Sequence, residues 1–278
     1  MVLKYGKEYY MDKPQYINWI VEETGIVIKD KIPLKCYKID YNENESILDD
    51  WALHIRRNYI DDVELQEDAD DNEMTVEQYL HDYVIPQKGE ELGSTARSAD
   101  ITEILIADLL EFVYQYSVPR YKLKNRSGKN NSQQGTDVIA YRYKNVDKTP
   151  SDKDELIATE VKATLTKTDY TPIESAIIDS RKDEHRLSRS INYCRKRLKE
   201  LGKVTESEEV KRFLFKPDNN YRITYIAAGI SSRENVDDVI ELNISGEELE
   251  FKNNEKIFYV HGKKLMELAH NIYERCQK

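Results

Sequence analysis

Four side chains have the types and order that metal-assisted phosphodiester hydrolysis needs: Glu103, Asp137, Glu160 and Lys162. Successive strand residues point to opposite faces, so Glu160 and Lys162, in Thr159-Glu160-Val161-Lys162-Ala163, project from one side of a strand about 6.6 Å apart. Asp137 opens the preceding β-rich run, Gly135-Thr136-Asp137-Val138-Ile139. If the two runs pair, its carboxylate reaches the same end of the sheet as Glu160. Two carboxylates there make a hard oxygen site suited to Mg²⁺ or Mn²⁺. Such an ion polarises a phosphoryl oxygen and acidifies a bound water, while Lys162 orients that water or stabilises the pentacovalent phosphate. Glu103 is the third candidate ligand, because on a helix its next-turn neighbours are Ile106 and Ala107 rather than a basic partner.

Glu-x-Lys is a cheap pattern in a chain that is 34% charged, and it occurs at Glu160, Glu209 and Glu250. Only the first lies in a β-rich run and follows a Gly-x-Asp run by one hairpin; the other two read as solvated faces. The plain alternative for Glu160 is a surface ion pair worth about 0–1 kcal/mol.

The elements that must carry these residues follow from periodicity. Residues 45–60 read as an amphipathic helix and 61–73 as an acidic loop. A strong helix is expected over 97–116, with Ser94 or Ser98 as cap and Pro119 beyond its end. Residues 136–143 and 155–165 read as a strand hairpin. A helical region at 173–201, a buried strand at 221–230 and a helix at 263–276 follow. That order predicts an α/β fold with a central sheet covered by helices. A boundary near residue 90 divides an acidic accessory region, 1–90, from the domain at 91–278. In the former, Trp19, Trp51 and the run Asp61 to Glu73 are candidate partner-docking features.

The net charge of −10 argues against nucleic acid only until its distribution is read. Residues 40–91 hold seventeen acidic side chains against three basic ones, a balance of −14 that leaves +4 for the rest. Residues 113–136 contain five basic side chains and no acid, and 181–203 carry nine basic against three acidic. Lys122, Lys124, Arg126, Arg181, Lys182, Arg186 and Arg189 are therefore the candidate phosphate contacts. No run approaches the ~20 apolar residues of a bilayer span, which with the charged N-terminus points to a cytoplasmic protein. The cysteines, Cys36, Cys194 and Cys276, and the five histidines have no zinc-ligand spacing, so no structural zinc is expected. No Gly-x-x-x-x-Gly-Lys run offers a nucleotide-phosphate loop.

Glu103 on a helix, Asp137 in Gly-Thr-Asp, and Glu160-Val161-Lys162 on the next strand together resemble the PD-(D/E)xK nuclease superfamily. The departure is Thr136 where that motif carries proline. The runs Ala96 to Leu105 and Asp179 to Asp183, with the basic segment between, are similar to the HamA effectors of Hachiman-type anti-phage systems over roughly 90–200. The resemblance implies a restriction-endonuclease-like core, a mixed sheet flanked by helices with an N-terminal extension. It also implies a Mg²⁺- or Mn²⁺-dependent DNA nuclease working beside a HamB-like superfamily 2 helicase. The residues by themselves leave two other readings open, a non-catalytic nucleic-acid-binding adaptor and an RNA-directed nuclease.

Overall fold

The computed structural model describes residues 12–28, 32–131, 133, 135–166, 172–214, 220–242 and 254–277. Its centre is a mixed six-stranded sheet made of β1 (Ile20–Glu23), β4 (Lys35–Ile39), β5 (Val138–Arg142), β6 (Glu155–Thr164), β7 (Arg222–Ser231) and β9 (Glu255–Gly262), in the order β1-β4-β9-β7-β6-β5. The outer pairs β1/β4 and β6/β5 are antiparallel and the inner pairs parallel. Two-residue strands β2 (Val27–Ile28), β3 (Ile32–Pro33) and β8 (Val239–Ile240) form a small second sheet. The α/β sheet covered by helices is as expected. The Glu250 copy of Glu-x-Lys lies outside the described residues. Glu209 is no solvated face: it accepts from the Tyr141 hydroxyl at 3.0 Å and pairs with Lys148.

Helices α1 (Glu45–Tyr59), α4 (Gly93–Asp108) and α8 (Leu265–Arg275) share one apolar core with one face of the sheet. Helices α5 (Ile173–Ser180), α6 (Asp183–Glu200) and α7 (Val204–Lys211) pack on the other face. The region before residue 91 is not set apart. Its strand β4 pairs with β9 in parallel, and Tyr16, Trp19 and Trp51 sit in the same core as Ile104, Val260 and Tyr273. The expected boundary near residue 90 is absent because β9, close to the C-terminus, pairs with β4, and parallel pairing leaves no local signal in the sequence. Trp51 stacks on Tyr16 with ring centroids 3.9 Å apart, so neither tryptophan is a surface anchor. The acidic run also differs from expectation: Asp62–Asp71 is a helix, α2, that buries Leu65 and Ala69 and turns its carboxylates outward, and a short helix, α3 (Val76–Tyr79), follows it.

From Asp100 to Asp108 helix α4 is buried on nearly every side, so its polar residues there need partners. It starts at Gly93 behind Leu92 with no side-chain cap, so Ser94 and Ser98 are helical residues rather than caps. Its two buried aspartates are anchors. Asp100 accepts from the Tyr59 hydroxyl and pairs with the Arg126 guanidinium, both at 2.6 Å. Asp108 accepts from Tyr16 at 2.5 Å, His54 at 2.9 Å and Arg120 at 2.6 Å, and Arg120 also pairs with Glu111 at 2.6 Å.

Candidate active site

The hairpin places the catalytic candidates. Val138 lies opposite Thr159, so Asp137, one residue before β5, sits at the level of Glu160 and Val161. Its Oδ2 accepts the Val161 backbone N–H at 2.9 Å, which fixes the carboxylate across the strand pair. The chain reaches this position through Gly135, whose φ of +116° favours glycine and whose added Cβ would lie 3.2 Å from the Ser190 hydroxyl of α6. Thr136, next in the chain, uses two donors that a proline would lack. Its N–H donates to Ser190 Oγ at 3.1 Å, and its hydroxyl donates to Asp183 at 2.8 Å.

Two groups of charges meet at Asp137. On the α4 side, Lys122 Nζ lies 2.8 Å from Glu103 Oε2 and 3.3 Å from Asp137 Oδ1. On the α6 side, Glu160 is buried and held between Lys162 Nζ, 2.7 Å from Oε1, and the guanidinium of Arg186. Lys162 also pairs with Asp179 at the end of α5, at 2.9 Å. That contact depends on how closely α5 approaches the sheet. Gly229 of β7, the register partner of Lys162, faces the first residue of α5, and a Cβ there would lie 2.8 Å from Ile173 Cγ1.

Burial pushes Glu103 up to about 7; Lys122 opposes this and Asp137 adds to it. Glu160 is also raised, by burial and then by Asp137, against Lys162 and Arg186. Lys162 is raised instead: burial disfavours its charge, but Glu160 and Asp179 outweigh that, so it acts as a fixed cation and not as a base. Lys122 is raised for the same reason, Glu103 and Asp137 outweighing burial. For the acid Glu103, a folded value above the ordinary 4.5 means stability fully present below about pH 4.5 and lost as pH rises through about 7. Glu103→Gln is therefore expected to flatten the decline in urea stability between those values. An unchanged decline would count against this origin.

The donor set has the chemistry of a hard divalent ion: the carboxylates of Glu103, Asp137 and Glu160 lie along one end of the β5/β6 pair, each already beside a cation. Their oxygens do not converge within 4.8 Å as a trio, since Lys122 stands between Glu103 and Asp137. Asp137 and Glu160 are the residues that would hold the ion, with Glu103 as a third oxygen donor once Lys122 gives way.

The basic candidates separate into two kinds. Lys122 belongs to the site itself. Lys124 is buried against Asp61 at 2.5 Å and Arg126 is buried against Asp100, so in this fold their charges are spent internally and do not face phosphate. The basic run 113–136 looks like surface in the sequence because the acids opposite it, Asp61, Asp100 and Glu103, come from other segments. Arg181 is half-buried near Glu255, and Arg186 is bound to Glu160 and Asp183. Lys182 and Arg189 have exposed side chains, and His185, Arg189, Asn192 and Lys196 are exposed at helical spacing along α6. Asp179 and Asp183 are site residues that periodicity alone could not assign; their only sequence signal was membership of the charged run 179–183.

The sequence model of one protein family, HamA, matches residues 14–276. No curated protein matches the chain.

Proposed function

This chain belongs to the HamA family, and from that premise we propose that it is a metal-dependent DNA nuclease, the effector of a Hachiman-type anti-phage complex. The observation that carries the reading is Asp137, fixed by the Val161 N–H between the Glu160–Lys162 pair and the Glu103–Lys122 pair. When bound, Mg²⁺ or Mn²⁺ would neutralise charge at the scissile phosphate and lower the pKa of a bound water. Asp137 and Glu160 bind. Lys162, whose side chain is 33% exposed, can turn from Asp179 towards a phosphate and stabilise the charge that builds on it. Glu103, paired with Lys122, places a third carboxylate beside that centre. The test is cleavage of duplex DNA and of RNA in parallel by the full chain with Mg²⁺ or Mn²⁺, with calorimetric titration of the metal. Binding and DNA cleavage that Glu160→Gln abolishes are expected. Cleavage of RNA alone would favour an RNA-directed enzyme, and nucleic-acid binding without cleavage an adaptor.

The exposed α6 stripe is the surface for the phosphate backbone, since Arg189 and Lys196 stand on the helix that also carries Arg186 into the site, and Lys182 caps its start. Neutralising these three should lower the salt dependence of DNA binding by a slope of roughly 0.9 per lost phosphate contact. An unchanged slope would remove α6 from the interface.

The described residues carry no helix-turn-helix or zinc-finger pattern to confine the enzyme to a short site, which favours restraint by a partner, and the resemblance to the Hachiman effectors implies a superfamily 2 helicase. The outward carboxylates of α2, rather than the buried tryptophans, offer the docking face. Co-purification followed by cleavage assays with and without ATP tests this. Identical nuclease activity alone and in the mixture would exclude restraint.

A further inference from the structure

A second cluster, independent of the nuclease reading, lies at the opposite side of the sheet from the β5/β6 hairpin. Glu23 ends β1 and faces Cys36 of β4 in register, and His261 lies near the end of β9, the parallel neighbour of β4. Alternation along the strands puts all three on one face. One donor atom from each lies within 4.8 Å of the other two, the only such trio of His, Cys, Asp or Glu among the described residues. His261 is fully buried and Cys36 nearly so, whereas the Glu23 side chain is 32% exposed.

The hydrogen bonding around His261 leaves an electrostatic gap. Its Nδ1 lies 3.0 Å from the Arg233 carbonyl oxygen, which can only accept, so Nδ1 carries the proton. In the neutral ring Nε2 is then a lone pair, yet it lies 2.7 Å from a Glu23 carboxylate oxygen, another acceptor. A positive species must lie between them, either a second proton or a metal ion. A ring nitrogen held by a backbone carbonyl, with the other nitrogen free, is how metal-binding histidines are oriented. Cys36 Sγ, 3.9 Å from the same Glu23 oxygen, adds a soft donor that a proton does not need. A tetrahedral ion with bonds of about 2.0 Å to nitrogen and oxygen and about 2.3 Å to sulfur needs donor separations of about 3.3–3.5 Å. The observed 2.7 and 3.9 Å bracket that range, so modest side-chain shifts would bring both into it.

We propose that Glu23, Cys36 and His261 form a binding site for a borderline-soft divalent ion of the Zn²⁺ type, with three protein ligands from three strands and a fourth position open on the Glu23 side. The ion cross-links the edge strand β1 to β4 and β9. Sequence spacing gave no hint of it, because the ligands lie 13 and 225 residues apart and only the parallel β4/β9 pairing unites them.

Cobalt(II) is the probe, since thiolate ligation gives it a sulfur-to-metal charge-transfer absorption. The chelator-treated full chain is expected to bind one Co²⁺ with that absorption, to lose it to Zn²⁺ and to keep it in excess Mg²⁺. Cys36→Ala should abolish the absorption, Glu23→Gln should weaken binding at least about tenfold, and Glu160→Gln should leave both unchanged. A folded wild-type chain that shows no such absorption, or a Cys36→Ala chain that retains it, would overturn the site and leave a protonated His261 paired with Glu23. Loss of the absorption in Glu160→Gln would likewise overturn it as a separate site.

Discussion

Lys162→Ala is expected to lower metal-dependent DNA cleavage by roughly 10²–10³-fold, the range seen when one preorganised charge-stabilising donor is removed. The same substitution should barely affect stability. Its side chain is 33% exposed, and partly exposed pairs such as those with Glu160 and Asp179 contribute about 0–1 kcal/mol. This disparity is the diagnostic feature: a structural lysine would move stability and activity together. The partner contacts allow a sharper expectation. Arg186 still holds Glu160 and Lys182 still holds Asp179 at 2.5 Å, so neither carboxylate is stranded when Lys162 is cut back. Metal titration should therefore remain close to wild type while turnover collapses. Cleavage within about threefold of wild type, in a variant with unchanged circular dichroism, would remove Lys162 from the chemistry.

Asp108→Ala should have the largest effect on stability, about 3–5 kcal/mol, because it removes one partner from a buried charge network and leaves the others. Asp108 is fully buried, and the Tyr16, His54 and Arg120 groups that converge on it belong to three separate segments of the chain. Arg120 would keep Glu111, but His54 would lose the only anionic partner it is seen to have among the described residues. Burial works against the Asp108 charge, yet His54 and Arg120 outweigh it and hold its carboxyl below the ordinary 3.8. For a depressed carboxylate the contribution is present above the ordinary value and fades as pH falls through the folded one. Asp108→Asn should accordingly remove part of the acid-side loss of stability below about pH 4. Urea midpoints across pH test both variants, and a loss under about 1 kcal/mol for Asp108→Ala would show that the network is not a keystone.

Much of the candidate site was legible in the sequence because its parts are local. The hairpin of Val138–Arg142 with Glu155–Thr164 is encoded by two β-rich runs and the polar turn between them, and alternation alone puts Glu160 and Lys162 on one face. Glu103 stood out because a carboxylate amid Ile101, Ile104 and Ile106 needs a reason to be there. What that reason was, Lys122, lay beyond reach: nineteen residues on, in a segment without regular structure, it is brought to Glu103 only by packing.

Charge runs were the least readable feature, and for a physical reason. A row of basic residues is the same row whether it meets solvent, phosphate or an acid from elsewhere in the chain, and the difference is decided by desolvation and pairing in the folded state. Lys124 and Arg126 look like surface cations and are buried against Asp61 and Asp100, whereas Arg189 looks the same and is exposed. The same limit applies to the two ends of the chain. Parallel pairing joins strands distant in sequence without any turn to announce it, so the sheet that unites β4 with β9 became visible only in the tertiary structure. Local order, periodicity and residue chemistry were thus the sequence's own to determine. Which charges are buried together, and that Glu23, Cys36 and His261 meet at all, was decided by the strand order of the sheet, because only that order sets which distant side chains share a face.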